Sequence, residues 1–407
     1  MPHQSATNSA SERMGELTVE AVSGGIEVID RLADEWRQFL ERANNDPLYW
    51  RPEWILAGLR AYSPQAKVVV ITVRRDDRLS AILPLVEERS RLAGLPARKL
   101  RAPLTTAGVG VDIVCADSGA GRDRVVAAIW EFLKRRKNWD VLDLPSVMEG
   151  AAIGRLAELA KRDSYPAGSW GLPLIAFFAV PQGRSAVKDM EKYPRHPKLR
   201  SKVRQREAKL AAMGNVRLSR VERDGSVDLQ RFYDMEAGGW KGKEKSAIVS
   251  DPRSRQFFDE VIREAERFGY LCLYTLELDG KPIAAHIGFT YRGRYWAAKS
   301  TYDESCRDYA PGHVIVKAIL RDLVTRGITE YVMGVREDWK LEWTQEVRRR
   351  NYHCIFNRGL WPRALYTARF PIRRRLAAIK GLPGAIPAYG RRLARLAKGR
   401  EAGRNAQ

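Results

Sequence analysis

The strongest constraint in this chain is a plan stated twice. Residues 67–89 (KVVVITVRRDDRLSAILPLVEER) are two apolar runs parted by Asp76-Asp77, and residues 270–292 (YLCLYTLELDGKPIAAHIGFTYR) repeat the arrangement around Asp279-Gly280. Such short acidic and glycine turns between β-branched runs predict hairpins, because they tolerate the positive φ that a tight hairpin turn needs. A third strand is expected after each hairpin, at 109–115 and 295–301. A helix follows, at 123–137 and 313–326, and then a short strand, at 139–144 and 328–334. Antiparallel strands leading through a helix into one more strand predict an α/β fold with a mixed sheet. Two copies predict two tandem domains rather than one large sheet.

Helical, tryptophan-bearing segments precede each copy. Trp36, Trp50, Trp54 and Phe258 in them read as core residues, since large aromatics contribute most when buried. The punctuation SYPAGSWGLPL and PQG places a boundary near 170–184. The expected division is a disordered N-terminus (1–19), a first domain (20–175), a second domain (176–360) and a basic tail (361–407).

The formal charge is +22, from 71 basic and 49 acidic residues, and residues 361–407 alone hold 12 Arg or Lys against Glu401. The tail mixes Leu, Ile and Ala with arginines at helical spacing, which suits an anionic membrane surface contacted through 371–407, packing on the body, or nucleic acid. With no zinc-finger spacing and no RNA-binding aromatic motif, nucleic acid rests on charge alone and is disfavoured. Residues 184–209 form a second basic stretch, ten Lys or Arg against Asp189, Glu191 and Glu207. It reads either as a solvated helix or as a contact for cofactor phosphates. No signal peptide and no apolar run of membrane-spanning length is present, so a cytoplasmic protein, peripheral on the inner face of the membrane, is expected. Cys115, Cys272, Cys306 and Cys354 are far apart and the histidines are scattered, so no metal is expected.

One turn carries chemistry. In Arg307-Asp308-Tyr309-Ala310-Pro311-Gly312-His313-Val314 an aromatic stretch stops at a Pro-Gly bend and a helix begins. The first N–H groups of a helix have no internal acceptor, so this opening suits a phosphate beside the end of a strand.

The turn resembles the pyrophosphate loop of the Gcn5-related N-acyltransferase superfamily, whose pattern is Gln or Arg, two residues, Gly, one residue, Gly or Ala. Arg307, Ala310 and Gly312 stand at the marked positions, with Ala310 in place of a glycine and Pro311 lacking its N–H. More specifically, the second half resembles the tandem-domain branch that includes CelD-like acetyltransferases, FemAB-type transferases and bacterial ceramide synthase. The landmarks are Glu236, Trp240-Lys241-Gly242, LDGKPIAA at 278–285, Lys299, Thr301-Tyr302-Asp303-Glu304, the turn itself, Gly334, Trp339-Lys340 and Trp343.

The resemblance implies direct acyl transfer from acyl-CoA, or from acyl carrier protein, to an amine on an envelope lipid or a glycan; a sphingoid base is one such acceptor. Arg307, Ala310, Gly312, His313 and Val314 would hold the donor. Trp240, Lys241, Lys299 and Lys340 would meet the acceptor or a phosphate. Glu236, His286 and Asp303, with Glu244, are candidate bases, and Tyr302 is a candidate acid for the departing thiol. Covalent catalysis through Cys306 is disfavoured. The first domain would shape the acceptor cleft and the second hold the donor. The rival enzyme is an aminoacyl-tRNA-dependent transferase acting on a peptidoglycan precursor. The rival outside enzymology is a non-catalytic membrane or nucleic-acid binding protein with this fold. Oligomeric state, acyl length and acceptor identity are not encoded in any motif.

Overall fold

The computed structural model describes residues 8–45, 48–103, 108, 110–223 and 228–370. The strands of the first half are β1 (Asn8–Met14), β2 (Leu17–Gly24), β3 (Lys67–Arg75), β4 (Arg78–Leu92), β5 (Leu95–Arg101), β6 (Val114–Cys115), β7 (Val141–Met148) and β8 (Ala167–Gly171). Those of the second half are β9 (Ile175–Ala179), β10 (Val216–Val221), β11 (Leu271–Leu278), β12 (Lys281–Tyr291), β13 (Arg294–Tyr302), β14 (Glu330–Val335), β15 (Val347–Arg348) and β16 (Arg350–Phe356). Two mixed sheets result. The first runs β1-β2-β3-β4-β5-β7-β16-β8 with β6 against β4, and the second runs β10-β11-β12-β13-β14-β9-β15.

The doubled plan is present in both. β3–β4 turns at Asp76 and Asp77 (φ 49° and 59°), β11–β12 at Asp279 and Gly280 (φ 50° and 78°), as tight hairpin turns require. In each sheet one parallel pair occurs among the described residues, and each is three residues long: Lys99–Arg101 on Val141–Asp143, and Arg294–Trp296 on Glu330–Val332. A helix precedes the second strand of each pair, Gly119–Arg135 in one half and Pro311–Thr325 in the other, because parallel neighbours need a crossover.

Three expectations differ from the structure. The third strand of the first copy is β5, not 109–115, which supplies only β6 and a single bridge from Val111 to Val147. β4 continues to Leu92 and turns at Ala93-Gly94 (φ 53° and 89°), so the polar stretch RSRLAGLPARKLR is a hairpin exposed on one side. The N-terminal segment is not wholly disordered: residues 8–14 add an edge strand to β2, using backbone hydrogen bonds that need no apolar side chains. Finally, β16, inside the span expected for the second domain, belongs to the first sheet. The chain leaves the first sheet after Gly171 and enters the second at Ile175, but β16 returns to pair with β7 on one side and β8 on the other.

The halves are also joined by packing. Helix Pro52–Tyr62 of the first half lies against helix Pro252–Arg267 of the second. Trp54 stands edge-on to Phe257 at 5.8 Å and to Phe289 at 4.9 Å, with Tyr49 between Trp54 and Trp296. Buried Glu53 accepts from Arg51 Nε at 2.5 Å and from Tyr270 Oη at 3.1 Å, so this buried carboxylate in the seam is satisfied from both halves. Trp36, Trp50 and Phe258 are buried as well.

The basic stretch becomes helices Ala186–Met190 and Pro197–Met213. Two of its three acids turn inward: Glu207 takes Lys317 Nζ at 2.5 Å and Arg321 Nη1 at 3.0 Å, and Glu191 takes Arg321 Nη2 at 2.7 Å. Lys188, Lys192, Lys198, Lys202 and Lys209 face water. Of the tail, Leu360–Arg369 is helical, and 371–407 lie outside the described residues.

Candidate active site

The parallel pair of the second sheet is short because its strands part. β13 and β14 are paired from Arg294/Glu330 to Trp296/Val332. Beyond that point β13 runs on to Tyr302 beside β12, while β14 runs on to Val335 beside β9. A register shift in β12–β13 at Ile287/Gly288, with Ala298 as the extra residue, bends β13 away at the same place. The result is an opening between two strands, lined by main-chain groups that have lost their partner strand.

Two lysines stand on the two sides of that opening. Lys241, from the short helix Trp240–Lys243, donates to the carbonyl of Ser300 on β13 at 2.5 Å and to Glu236 Oε1 at 2.9 Å. Lys340, from helix Asp338–Leu341, donates to the carbonyl of Val335 at the end of β14 at 2.8 Å, with Glu337 Oε2 at 3.5 Å. Lys340 is only 9% exposed. Burial, then the charge of Lys241, lowers its pKa to about 8. Glu236 is fully buried and its second oxygen accepts the Ile248 N–H at 2.7 Å, so both its oxygens are occupied.

At the vertex of the opening lies His286. Its Nδ1 is 2.8 Å from Tyr295 Oη on β13 and its Nε2 is 3.1 Å from Tyr331 Oη on β14, and both tyrosines are buried. Burial, with the charges of Lys241 and Lys340, pushes its pKa down to about 3. The imidazole is therefore neutral and enclosed, a clasp across three strands rather than a group presented to a substrate.

Asp303 is likewise taken up by structure. It caps the 3-10 turn Glu304–Tyr309, accepting Ser305 N–H at 2.9 Å and Ser305 Oγ at 2.7 Å, with Lys281 Nζ at 3.3 Å. These donors, led by the Ser305 hydroxyl, hold its pKa below the ordinary value, which disfavours it as a base. Tyr302 lies on the same strand face as Ser300, and its ring is 3.6 Å from where a side chain on Gly312 would begin. Burial raises its pKa, which keeps the phenol protonated.

The Pro-Gly bend is formed, but it offers fewer donors than its position suggests. Ala310 sits in the left-handed region at φ 45° and ψ 53°. The N–H groups of His313 and Val314 both return to the Ala310 carbonyl, at 3.0 and 3.3 Å. Pro311 has none, which leaves the Gly312 N–H pointing out of the bend. Arg307 is exposed beside it, and helix Pro197–Met213 packs against the 3-10 turn Glu304–Tyr309 that leads into the bend. The Val314 side chain is core. His313 accepts from Trp343 Nε1 at 3.2 Å and stands edge-on to Trp339; burial lowers its pKa.

Trp240 N–H donates to Glu304 Oε1 at 3.3 Å, so the strand end carrying Tyr302 and the helix carrying Lys241 are tied. Lys299 is directed elsewhere, with its ammonium 5.6 Å over the Phe258 ring. The structure thus gathers Glu236, Lys241, Lys340 and His286 at the opening and Tyr302, Arg307 and Gly312 at its mouth, and leaves Asp303, Lys299 and Val314 in structural positions. Sequence reasoning missed Tyr295, Tyr331 and the carbonyls of Ser300 and Val335, and gave Glu304 no role. The tyrosines read as ordinary strand formers, and a carbonyl has no signature in sequence. Among the described residues no group of three or more His, Cys, Asp or Glu is placed to hold a metal.

Residues 197–341 match the family described as the acetyltransferase (GNAT) domain. Among solved structures, one described as FemX aligns at TM-score 0.53 and 12% identity, over 79% of this chain and 95% of that one. A conserved protein of unknown function from Bacteroides thetaiotaomicron aligns at TM-score 0.50 and 10% identity, over 80% and 97%. A tandem GNAT protein from the clavulanic acid biosynthesis pathway aligns at TM-score 0.41 and 14% identity, over 84% and 100%. No curated protein sequence matches the chain. A parallel pair that opens beyond its vertex, with a helix beginning at its mouth, is the architecture on which the family match falls: residues 197–341 resemble the acetyltransferase (GNAT) domain, within a chain of two tandem mixed α/β sheets.

Proposed function

We propose that this chain is an N-acyltransferase in which the opening between β13 and β14 receives the acyl thioester of acyl-CoA or of acyl carrier protein. The observation that carries this reading is the placement of Lys241 and Lys340 on the carbonyls of Ser300 and Val335, one on each parted strand. Main-chain N–H groups of β13 on the open side would meet the oxyanion, and Arg307, Gly312 and the basic helix would meet the donor's phosphates.

In the reaction the acceptor nitrogen attacks the thioester carbonyl, the C–N bond forms and the C–S bond breaks. Neutral Lys340 takes the amine proton. The leaving thiolate is protonated by Tyr302 or by the lysine ammonium so formed. Glu236 pairs with Lys241 and so holds it on β13. The clasped His286 and the capping Asp303 position strands rather than move protons.

For the acceptor, the basic and apolar residues from 361 onward support an amine on an envelope lipid, a sphingoid base among them. The test is a mass-spectrometric screen of short and long acyl-CoA and acyl carrier protein donors against sphingoid, sugar and peptide amines. Product that is lost with Lys340→Met and weakened with Lys241→Met supports the reading. Product only with aminoacyl-tRNA replaces the donor, and no product from folded protein with any pair removes the enzyme reading.

A further inference from the structure

Helix Leu360–Arg369 buries Pro362 and Leu365 on the outer face of the first sheet, against a cluster containing Leu92, Val141, Tyr352 and Phe356. Its first turn does the opposite. Leu360 is 89% exposed and Trp361 43%, adjacent apolar side chains held in water where hydration disfavours them. The ring of Trp361 is fixed there, because its Nε1 donates to the Pro96 carbonyl at 3.2 Å beside the exposed β4–β5 turn.

A second observation lies on the other flank of the same helix. A groove of about 500 Å³ is lined by Lys161, Ser164, Tyr165, Arg363, Tyr366 and Thr367. Its hydroxyls and two cations suit a phosphate monoester or diester. Asp163, next in sequence to the groove's Ser164, is already committed to Lys134 and Arg162. Arg358, at the entry to the helix, is exposed over Tyr165 at 4.6 Å and adds a third cation.

We propose that this face docks on an anionic lipid surface, with Leu360 and Trp361 entering the interface and the Lys161–Arg363 groove taking a lipid phosphate. An interfacial Trp with an aliphatic neighbour and flanking arginines satisfies the apolar and the ionic requirement of a headgroup layer together. Charge selects this occupant over the two others at hand. Residues 371–407 hold ten Arg or Lys and one Glu, and a second copy would bring the same cations, so each is repelled by the groove. The docking deepens the lipid-acceptor reading above by locating the lipid, yet it is measured without catalysis.

Flotation of the full chain with phosphatidylcholine vesicles, with and without phosphatidylglycerol, tests it. The expected result is binding that requires phosphatidylglycerol. The double variant Leu360→Ser/Trp361→Ser should bind about tenfold more weakly at equal thermal stability, since both positions are exposed. Lys161→Glu/Arg363→Glu should lose the preference for the anionic lipid, and a chain ending at 370 should retain part of the binding. Unchanged flotation of both double variants, complete loss in the shortened chain, or no flotation of the full chain would overturn the proposal. An acyl-transfer screen that fails while flotation behaves as expected sinks the enzymatic reading and leaves the docking face standing.

Discussion

Lys241 and Lys340 are anchored on the two parted strands, one ammonium on the Ser300 carbonyl of β13 at 2.5 Å and the other on the Val335 carbonyl of β14 at 2.8 Å. Two cations kept near each other in a buried site favour loss of a proton from the more buried one, and the shift of Lys340 to about 8 follows from burial and the charge of Lys241.

Acyl transfer should therefore rise with pH to a plateau above about 8 as Lys340 becomes neutral. Lys340→Met should lower kcat by roughly 100-fold or more. Lys241→Met should move the midpoint of the pH profile upward, because one of the two causes of the shift is gone. A midpoint unmoved by Lys241→Met would exclude this coupling.

Stability carries the same signature. The folded-state pKa of Lys340 lies below its ordinary 10.5. The unfolded chain therefore binds more protons between pH 8 and 10.5, and this group makes the fold more stable as pH rises through that window. Lys340→Met should raise stability at pH 7 by about 1–3 kcal/mol and flatten the alkaline dependence, read by urea unfolding at several pH values.

His286 gives the acid counterpart. Its pKa falls from 6.5 unfolded to about 3 folded, so its contribution is complete above 6.5 and is lost as pH falls toward 3. The slope it adds approaches about 1.4 kcal/mol per pH unit within that window. His286→Phe should remove this acid sensitivity while costing roughly 2–4 kcal/mol at pH 7, because the Tyr295 and Tyr331 hydroxyls lose their partner.

Two glycine-related positions should respond in opposite directions. A Cβ at Gly288 would lie 2.2 Å from the buried Tyr295 ring, so Gly288→Ala should destabilise by about 3 kcal/mol and loosen the clasp. Ala310, at φ 45°, carries left-handed strain that a glycine lacks. Ala310→Gly should raise the melting temperature, with a gain of about 0.5–1 kcal/mol after the larger backbone entropy of glycine is subtracted.

The returning strand predicts that the halves cannot be separated. Without β16, β7 and β8 lose the strand between them and expose two unpaired edges. Residues 1–172 expressed alone should be insoluble, and co-expression with a segment containing 350–370 should recover soluble protein. Soluble, exchange-protected 1–172 on its own would contradict this.

Much of this protein was legible in its residue order. Both hairpins, the Pro-Gly bend and the crossover helices follow from local rules, since a turn with positive φ and an apolar periodicity are properties of a few neighbouring residues. Locality also set the limit. The hairpin β4–β5 was passed over because its exposed face is rich in Arg and Ser, and β16 was not marked as a strand of the first sheet because strand pairing over 200 residues of separation leaves no mark in either strand. His286 illustrates the same boundary. Sequence placed it on a strand among small residues, correctly. Only the convergence of Tyr295 and Tyr331 from two other strands made it a buried neutral clasp, and only the parting of β13 from β14 left Lys241 and Lys340 anchored on separate strands. Secondary structure is dictated by near neighbours. The protonation state of a side chain is decided by whatever charges and solvent the tertiary fold brings within a few ångströms, and that is why the residue types were readable in advance and their roles were not.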